Sequence, residues 1–188
     1  KSEIVFRLVP AWYIKTSEIK PKLIECANSV KWEPASNGKR MNDWLTNMGD
    51  WNISRKRYYG MPLPFYPCSC GHITVIGSKD ELREKAVDPA QVDALPELHR
   101  PWVDEVKIKC PHCGKEVSRI SDIGDVWLDA GIVPFSTLGY FTDREAWEKN
   151  FPAEWVTEMH EQVRLWFYSM LFMSTVLVGK APYEKVVT

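Results

Sequence analysis

Cys68-Ser69-Cys70-Gly71-His72 and Cys110-Pro111-His112-Cys113-Gly114 open and close the stretch around which the sequence is organised. Each close cysteine pair is followed by a glycine, and residues 71–109 between the pairs are rich in charge. A tetrahedral Zn²⁺ takes four thiolates, and a tight turn lets both sulfurs of a pair face one ion. Glycine just after each pair suits a backbone that curls around a metal at positive φ. C-x-x-C has ordinary zinc-knuckle spacing and C-x-C is tighter, with His72 and His112 as spare ligands of suitable chemistry. The alternatives are a disulfide framework or unrelated thiols. Disulfide frameworks belong to short secreted chains, whereas here the fifth cysteine, Cys26, is isolated and no secretion signal is visible. The expectation is a zinc ribbon with Cys68, Cys70, Cys110 and Cys113 as ligands. Four protein ligands leave no open position for substrate, so the zinc is read as structural and the chemistry is sought elsewhere.

The 188 residues can form one domain or two small ones. Lysine and arginine total 24 against 25 acids, a formal charge of −1 that argues against a dedicated polyanion binder but leaves room for a local basic face. The most apolar run, Trp166 to Val178, is shorter than the ~18 residues a membrane span needs. No membrane role is expected, and reduced cysteines with no targeting signal point to the cytoplasm. Lys1 begins inside an alternating apolar run and Val186-Val187-Thr188 stops where a strand starts, so the chain reads as a piece of a larger protein.

Alternation predicts strands at Glu3 to Val9, Ala11 to Ile14, Ile73 to Gly77, Val103 to Lys109, Val117 to Ile120 and Trp155 to Thr157. Helical spacing predicts helices over Glu18 to Ser29, Lys39 to Asn47, Lys79 to Ala86 and Asp143 to Asn150, and one that starts near Glu158 and runs to Val178. Ser78 with Glu81 makes a capping box for the third of these. Ser36-Asn37-Gly38 reads as a turn. Asp50 to Phe65 crowds aromatic and basic residues. Arg55, Lys56 and Arg57 are either a solvated face or phosphate contacts.

Two further stretches carry candidate chemistry. Asp125-Val126-Trp127-Leu128-Asp129-Ala130-Gly131 fits a strand whose carboxyl end opens into a pocket, or a surface loop with a core tryptophan. Glu158, Glu161 and Gln162 fit ribose-hydroxyl ligands, since carboxylates accept two hydrogen bonds, or ordinary acids of a helix first turn.

These residues resemble the class I aminoacyl-tRNA synthetases of the isoleucine/valine/leucine branch, most of all the isoleucine-specific members, over essentially the whole chain. Trp32-x-Pro34, Arg40 to Leu45 and Asp50-Trp51-x-Ile53-Ser54-Arg55-x-Arg57-Tyr58-x-Gly60-x-Pro62-x-Pro64 look like the segment returning from the family's editing insertion to its catalytic fold. Asp125-Val126-Trp127-x-Asp129-x-Gly131 is similar to D-V-W-F-D-S-G, and Glu158-x-x-x-Gln162-x-Arg164-x-Trp166-Phe167 to E-G-x-D-Q-x-R-G-W-F. Met159 and Leu165 stand at family glycine positions and Glu161 at an aspartate.

The resemblance implies a mixed α/β (α+β) fold, a partial Rossmann-type catalytic core with an inserted zinc ribbon. Residues 1–49 would be the end of the editing insertion and connecting helices, 50–66 and 120–188 the Rossmann-type part, and 67–119 the ribbon. It implies an aminoacyl-tRNA ligase that adenylates a branched aliphatic amino acid, isoleucine first, with ATP and Mg²⁺ and then charges tRNA, as a monomer when full length. Trp127, Trp166 and Gln162 would form the amino-acid pocket, and Glu158, Glu161 and Gln162 would hold the adenylate and its ribose. No His-x-Gly-His and no Lys-Met-Ser-Lys-Ser occurs among these residues, so this piece alone is expected to be inactive. The alternatives are a free-standing zinc-ribbon module that binds RNA or protein, or a valine- or leucine-specific relative.

Overall fold

A computed structural model describes Glu3–Thr188 as a mixed α/β chain of short strands and mostly short helices. The chain divides into two compact units. The first comprises Ser54–Asp125 with the N-terminal residues up to Ala11, and the second Trp12–Ile53 with Val126–Thr188.

In chain order, β1 (Tyr13–Ile14), a 3₁₀ turn at Thr16–Glu18 and α1 (Lys20–Asn28) begin the second unit. Pro21 falls in the first turn of α1, where no backbone donor is required. β2 (Lys31–Glu33), α2 (Ser36–Asn47) and β3 (Trp51–Asn52) follow. The first unit contains β4 (Ser54–Arg55), β5 (Phe65–Pro67), β6 (Ile73–Val75), α3 (Lys79–Lys85) and α4 (Pro89–Asp93). A 3₁₀ turn over Trp102–Glu105 leads to β7 (Lys107–Lys109), β8 (Glu116–Ser118) and β9 (Ile123–Gly124). The second unit resumes with α5 (Val126–Gly131), α6 (Val133–Ser136), α7 (Arg144–Asn150) and β10 (Val156–Thr157). A 3₁₀ segment at His160–Arg164, α8 (Trp166–Val178) and β11 (Lys185–Val187) complete it.

Two antiparallel hairpins make the first unit: β5 with β6, Tyr66 opposite Thr74, and β7 with β8, Ile108 opposite Val117. Their inward residues Tyr66, Ile108 and Val117 join Leu82, Val92 and Val106 in one core. The guanidinium of Arg119 is buried within this unit. It donates to the Asp104 carboxylate at 3.0 Å and to the carbonyls of Leu63 at 3.0 Å and Asp122 at 2.9 Å. Burial alone would raise the Asp104 pKa, but hydrogen bonds from Arg119 and Arg100 outweigh it and hold the carboxyl below its ordinary value.

The second unit is packed around α8, whose Phe167, Tyr168, Met170, Leu171 and Phe172 are all buried. α1, α5 and the 3₁₀ segment His160–Arg164 pack against it. A three-stranded parallel sheet, in the order β10-β11-β2, sets Val156 opposite Val186 and Val186 opposite Trp32. Gly131 lets α5 approach α8 closely, since a Cβ there would lie 2.7 Å from the Ser169 carbonyl oxygen.

Several expectations change. Glu3 to Val9 forms no strand, and Ile4, Phe6 and Leu8 are fully exposed. Alternation makes a strand only where a ladder partner exists, and none of the described residues supplies one. Ser36-Asn37-Gly38 is the first turn of α2, not a separate turn. Only Lys107–Lys109 of the Val103 to Lys109 run is strand, because buried Val103 and Val106 stand three apart, the period of a 3₁₀ turn. Asp125 to Gly131 is neither strand nor loop: the strand ends at Gly124 and α5 carries Trp127. The helix foreseen from near Glu158 is broken at Leu165 into a 3₁₀ segment and α8.

Replacing Gly131 by alanine forces a methyl against the α8 backbone. It should destabilise the protein by about 1–3 kcal/mol, the usual cost of overpacking, seen as a lower urea midpoint with an unchanged m-value.

Candidate metal centre and substrate motifs

Each hairpin of the first unit presents one cysteine pair at its tip. After β5, the Gly71 amide donates to the Cys68 carbonyl at 2.9 Å and the Cys68 amide to the His72 carbonyl at 2.8 Å. After β7, the Gly114 amide bonds the Cys110 carbonyl and the Cys110 amide the Lys115 carbonyl, both at 2.8 Å. Gly71 at φ +89° and Gly114 at φ +72° occupy the left-handed region that the spacing anticipated.

The four sulfurs lie within 4.8 Å of one another, with Cys68–Cys113 at 3.4 Å and Cys70–Cys110 at 3.8 Å. Four thiolates around one tetrahedral ion at ordinary metal–sulfur length stand about 3.8 Å apart, so the quartet can hold a metal ion with little movement. His72 and His112 are outside this group, and their rings stack on each other with centroids 6.1 Å apart. Cys26 is buried in the other unit, its thiol 3.6 Å from the Gly179 carbonyl.

The sulfurs differ in proton affinity. The Cys70 backbone amide, aided by the thiols of Cys113, Cys70 and Cys110, pulls Cys68 down to about 6. The Lys115 amide favours a Cys113 thiolate, but the sulfur neighbours led by Cys68 outweigh it and push Cys113 up to about 12. Packing sulfurs this closely makes the first proton easy to remove and the last one hard.

The second unit holds the other candidates. Glu158 follows the carboxyl end of β10, and its amide reaches the Val187 carbonyl of β11 at 3.4 Å. Glu158 and Glu161 are exposed, and Glu161 stands 3.4 Å from the His160 imidazole. Gln162 is tied down, because its side-chain oxygen accepts the Trp166 backbone amide at 3.1 Å at the start of α8. The Trp166 indole donates to the Ala130 carbonyl at 2.9 Å. That bond joins the head of α8 to α5, the helix bearing half-buried Trp127.

A cleft of about 850 Å³ opens beside these residues. Pro34, Thr188 and Met159 line it, and they lie just past the carboxyl ends of β2, β11 and β10. Lys39, Arg40, His160 and Arg164 make it basic, with Asp43 as counter-charge. The Arg40 Nε is buried with no hydrogen-bond partner among the described residues, and the Arg164 guanidinium sits 5.8 Å from the centroid of the Trp44 ring. Reading the sequence missed these cations. The signal for them was Pro34 directly after the short strand Lys31–Glu33, with Lys39 and Arg40 on the following helix.

The chain belongs to the class I tRNA synthetases (I, L, M and V), whose family model matches residues 1–188. Within that class it is similar to isoleucine–tRNA ligases. Identity to the Clostridium novyi protein is 42% over 180 residues, 94% of this chain and 17% of that one. Identity to the Methanoculleus marisnigri protein is 43% over 188 residues, 99% of this chain and 17% of that one. The chain thus spans about a sixth of these curated relatives. The solved ternary complex of Agrobacterium radiobacter K84 agnB2 LeuRS, tRNA and LeuAMS shares the fold, with TM-score 0.50 and 22% identity over 75% of this chain and 19% of that one. Among the described residues, no helix is long and apolar enough to cross a membrane.

Metal binding should release protons. Below pH 12 the Cys113 thiol (about 12) is protonated and must ionise to ligate, so the apparent affinity falls by at least tenfold per pH unit as pH is lowered. Below about pH 6 the Cys68 proton joins it and the fall steepens. Metal titration across pH, with proton release measured in two buffers, checks both the slope and the break.

Proposed function

We propose that this chain is the part of an isoleucine-specific synthetase that grips the aminoacyl adenylate, with a zinc ribbon joined to it. One observation carries the reading: in a chain of this family, Glu158 and Gln162 follow the carboxyl end of a parallel strand, beside a cleft into which three parallel strands end. Open α/β sheets bind ligands at such ends. The Glu158 carboxylate, which accepts the Met159 amide at 3.3 Å through one oxygen, keeps acceptor sites for the hydroxyls of the adenylate ribose, and Glu161, one methylene longer than aspartate, reaches toward the same sugar. Gln162 holds the first turn of α8 and offers its side-chain amide nitrogen to the amino acid. Trp127 and Trp166 wall the side-chain pocket with flat indole faces.

In this reading residues 50–66 and 120–188 belong to a Rossmann-type core, 67–119 to the zinc ribbon and 1–49 to the end of an editing insertion. The whole protein is a cytoplasmic monomer that takes isoleucine, ATP with Mg²⁺, and tRNA. Zn²⁺ suits Cys68, Cys70, Cys110 and Cys113, because four thiolates are soft ligands in a tetrahedral spacing. When bound, the ion clamps the two hairpin tips, and the residues proposed to hold the adenylate, Glu158, Glu161 and Gln162, belong to the other unit. A pocket of this kind separates isoleucine from valine by only about 1–3 kcal/mol, which accounts for an editing insertion. A free-standing ribbon is disfavoured, because the family model spans the whole chain and not the ribbon alone.

The test is amino-acid-dependent ATP–pyrophosphate exchange by the full-length protein. Isoleucine should support exchange best, Glu158→Ala should lower kcat/KM by about 100-fold or more, and residues 1–188 alone should give none. Exchange driven by leucine or valine in preference to isoleucine refutes the specificity. Metal analysis should find one zinc per chain, lost on Cys110→Ser.

A further inference from the structure

The crowded aromatic and basic run after Arg55 has no part in the metal site or in the adenylate motifs. In the first unit it forms a defined surface. Tyr59 is 83% exposed, and its ring lies within 9° of parallel to the His99 imidazole, with centroids 6.2 Å apart. Tyr58, 59% exposed, carries the Arg100 guanidinium 5.0 Å from its ring centroid. Arg100 is itself held by Asp104 at 2.6 Å and donates to the Arg57 carbonyl at 3.2 Å. The tyrosine loop is therefore fastened to the segment bearing His99, and its rings are presented in fixed positions.

A pocket of about 320 Å³ adjoins the rings. Met61, two residues after Tyr59, and Leu98, directly before His99, form part of its lining, with Tyr66 and Lys79. The Tyr66 phenol makes no hydrogen bond to the protein among the described residues. Burial pushes its pKa up to about 12, so it remains a proton donor at neutral pH. Arg57 and Lys79 are exposed and take part in no ion pair among the described residues, whereas Lys56 is engaged by Asp122 at 2.7 Å.

Exposed aromatic faces are costly to leave in water, and parallel faces beside unpaired cations are the composition of a surface that stacks bases while cations follow the backbone. The pocket is at the low end of ligand-site volumes, large enough for one planar heterocycle. We infer that this face binds an unpaired stretch of RNA, with one base against Tyr59 and His99, its neighbour in the Met61–Leu98 pocket, and phosphates beside Arg57 and Lys79. The inference deepens the reading of tRNA as a partner by giving its unpaired nucleotides a place on the unit that carries the cysteines. It uses none of the adenylate residues.

Binding of a fluorescein-labelled, unstructured 12-nucleotide RNA to the full-length protein, followed by anisotropy at several salt concentrations, tests it. Tyr59→Ala should weaken binding about 5- to 150-fold, the loss of one base–aromatic stack, while Tyr59→Phe keeps it. Arg57→Ala should lower the slope of log K against log salt by about 0.7, the share of one single-strand phosphate contact. Tyr59 is too exposed for its removal to unfold the unit. Isoleucine-dependent exchange without tRNA should be unchanged in Tyr59→Ala. A protein that binds the RNA in a Tyr59-dependent way but shows no exchange refutes the adenylation reading and leaves this one standing. Equal RNA affinity for wild type and Tyr59→Ala overturns it, and so does an acidic peptide that competes as well as RNA.

Discussion

A helix that is apolar on every side has to be enclosed, and α8 imposes that requirement on everything in its unit. Its polar side chains are internalised along with the apolar ones. Ser169 donates to the Trp166 carbonyl at 3.0 Å and Ser174 to the Lys180 carbonyl at 2.6 Å, while the buried Thr175 hydroxyl has no partner among the described residues. Tyr183 donates to the Phe167 carbonyl at 2.9 Å from a fully buried position, and burial drives its phenol pKa far above the ordinary value. Trp51 packs edge-on against Phe172 with centroids 4.9 Å apart. The Tyr183 and Trp51 contacts locate two distant segments against the same helix. The first turn of α8, which contains Trp166 and whose Trp166 amide is held by Gln162, is therefore set by burial of the helix between Phe167 and Thr175 and not by local loop preferences.

The cysteine-bearing unit solves a different problem with less apolar material. Its hairpins are three residues per strand, too short to be stable alone. Arg119 compensates by tying Asp104, Leu63 and Asp122 together from the inside. A buried guanidinium is tolerable only with its donors satisfied, and loss of Asp104 would leave it uncompensated at a cost of about 3–5 kcal/mol. Metal binding at the tips would act on the same weakness, since an ion that holds both hairpins binds the folded state alone.

What could be read in advance followed the physics that acts locally. Cysteine spacing brought four sulfurs together, because two knuckles impose their own turns. Ser78 caps α3 by accepting the Glu81 amide at 3.1 Å, and Asp143 caps α7 by accepting the Ala146 amide at 3.0 Å. Two strand assignments failed, while those at Tyr13–Ile14 and Val156–Thr157 found distant partners. Glu3 to Val9 alternates as well as any strand here yet pairs with nothing described, and Trp127 lies on a helix although its apolar neighbours suggested β structure. The parallel sheet joins segments far apart in sequence, at Lys31–Glu33, Val156–Thr157 and Lys185–Val187. Each is too short to announce the others, so the cleft at their ends could not be anticipated.

The departures from the family pattern now have positions that limit what they do. Met159, at a family glycine, is 68% exposed and lines the basic cleft, so its side chain takes space from ligand and not from the core. Leu165, at the other glycine, is 39% exposed and sits at the break between the 3₁₀ segment and α8. At Met159, in ordinary extended backbone, the fold needs no missing Cβ, whereas at Gly131 it does. Bulk added at Met159 bears on the cleft where β2, β10 and β11 end. Bulk added at Leu165 bears on the outer face of the turn that Gln162 holds. Of the two, only Met159 stands where it can change what the cleft admits, and its unbranched, flexible thioether side chain can yield to a ligand with less penalty than a β-branched residue would.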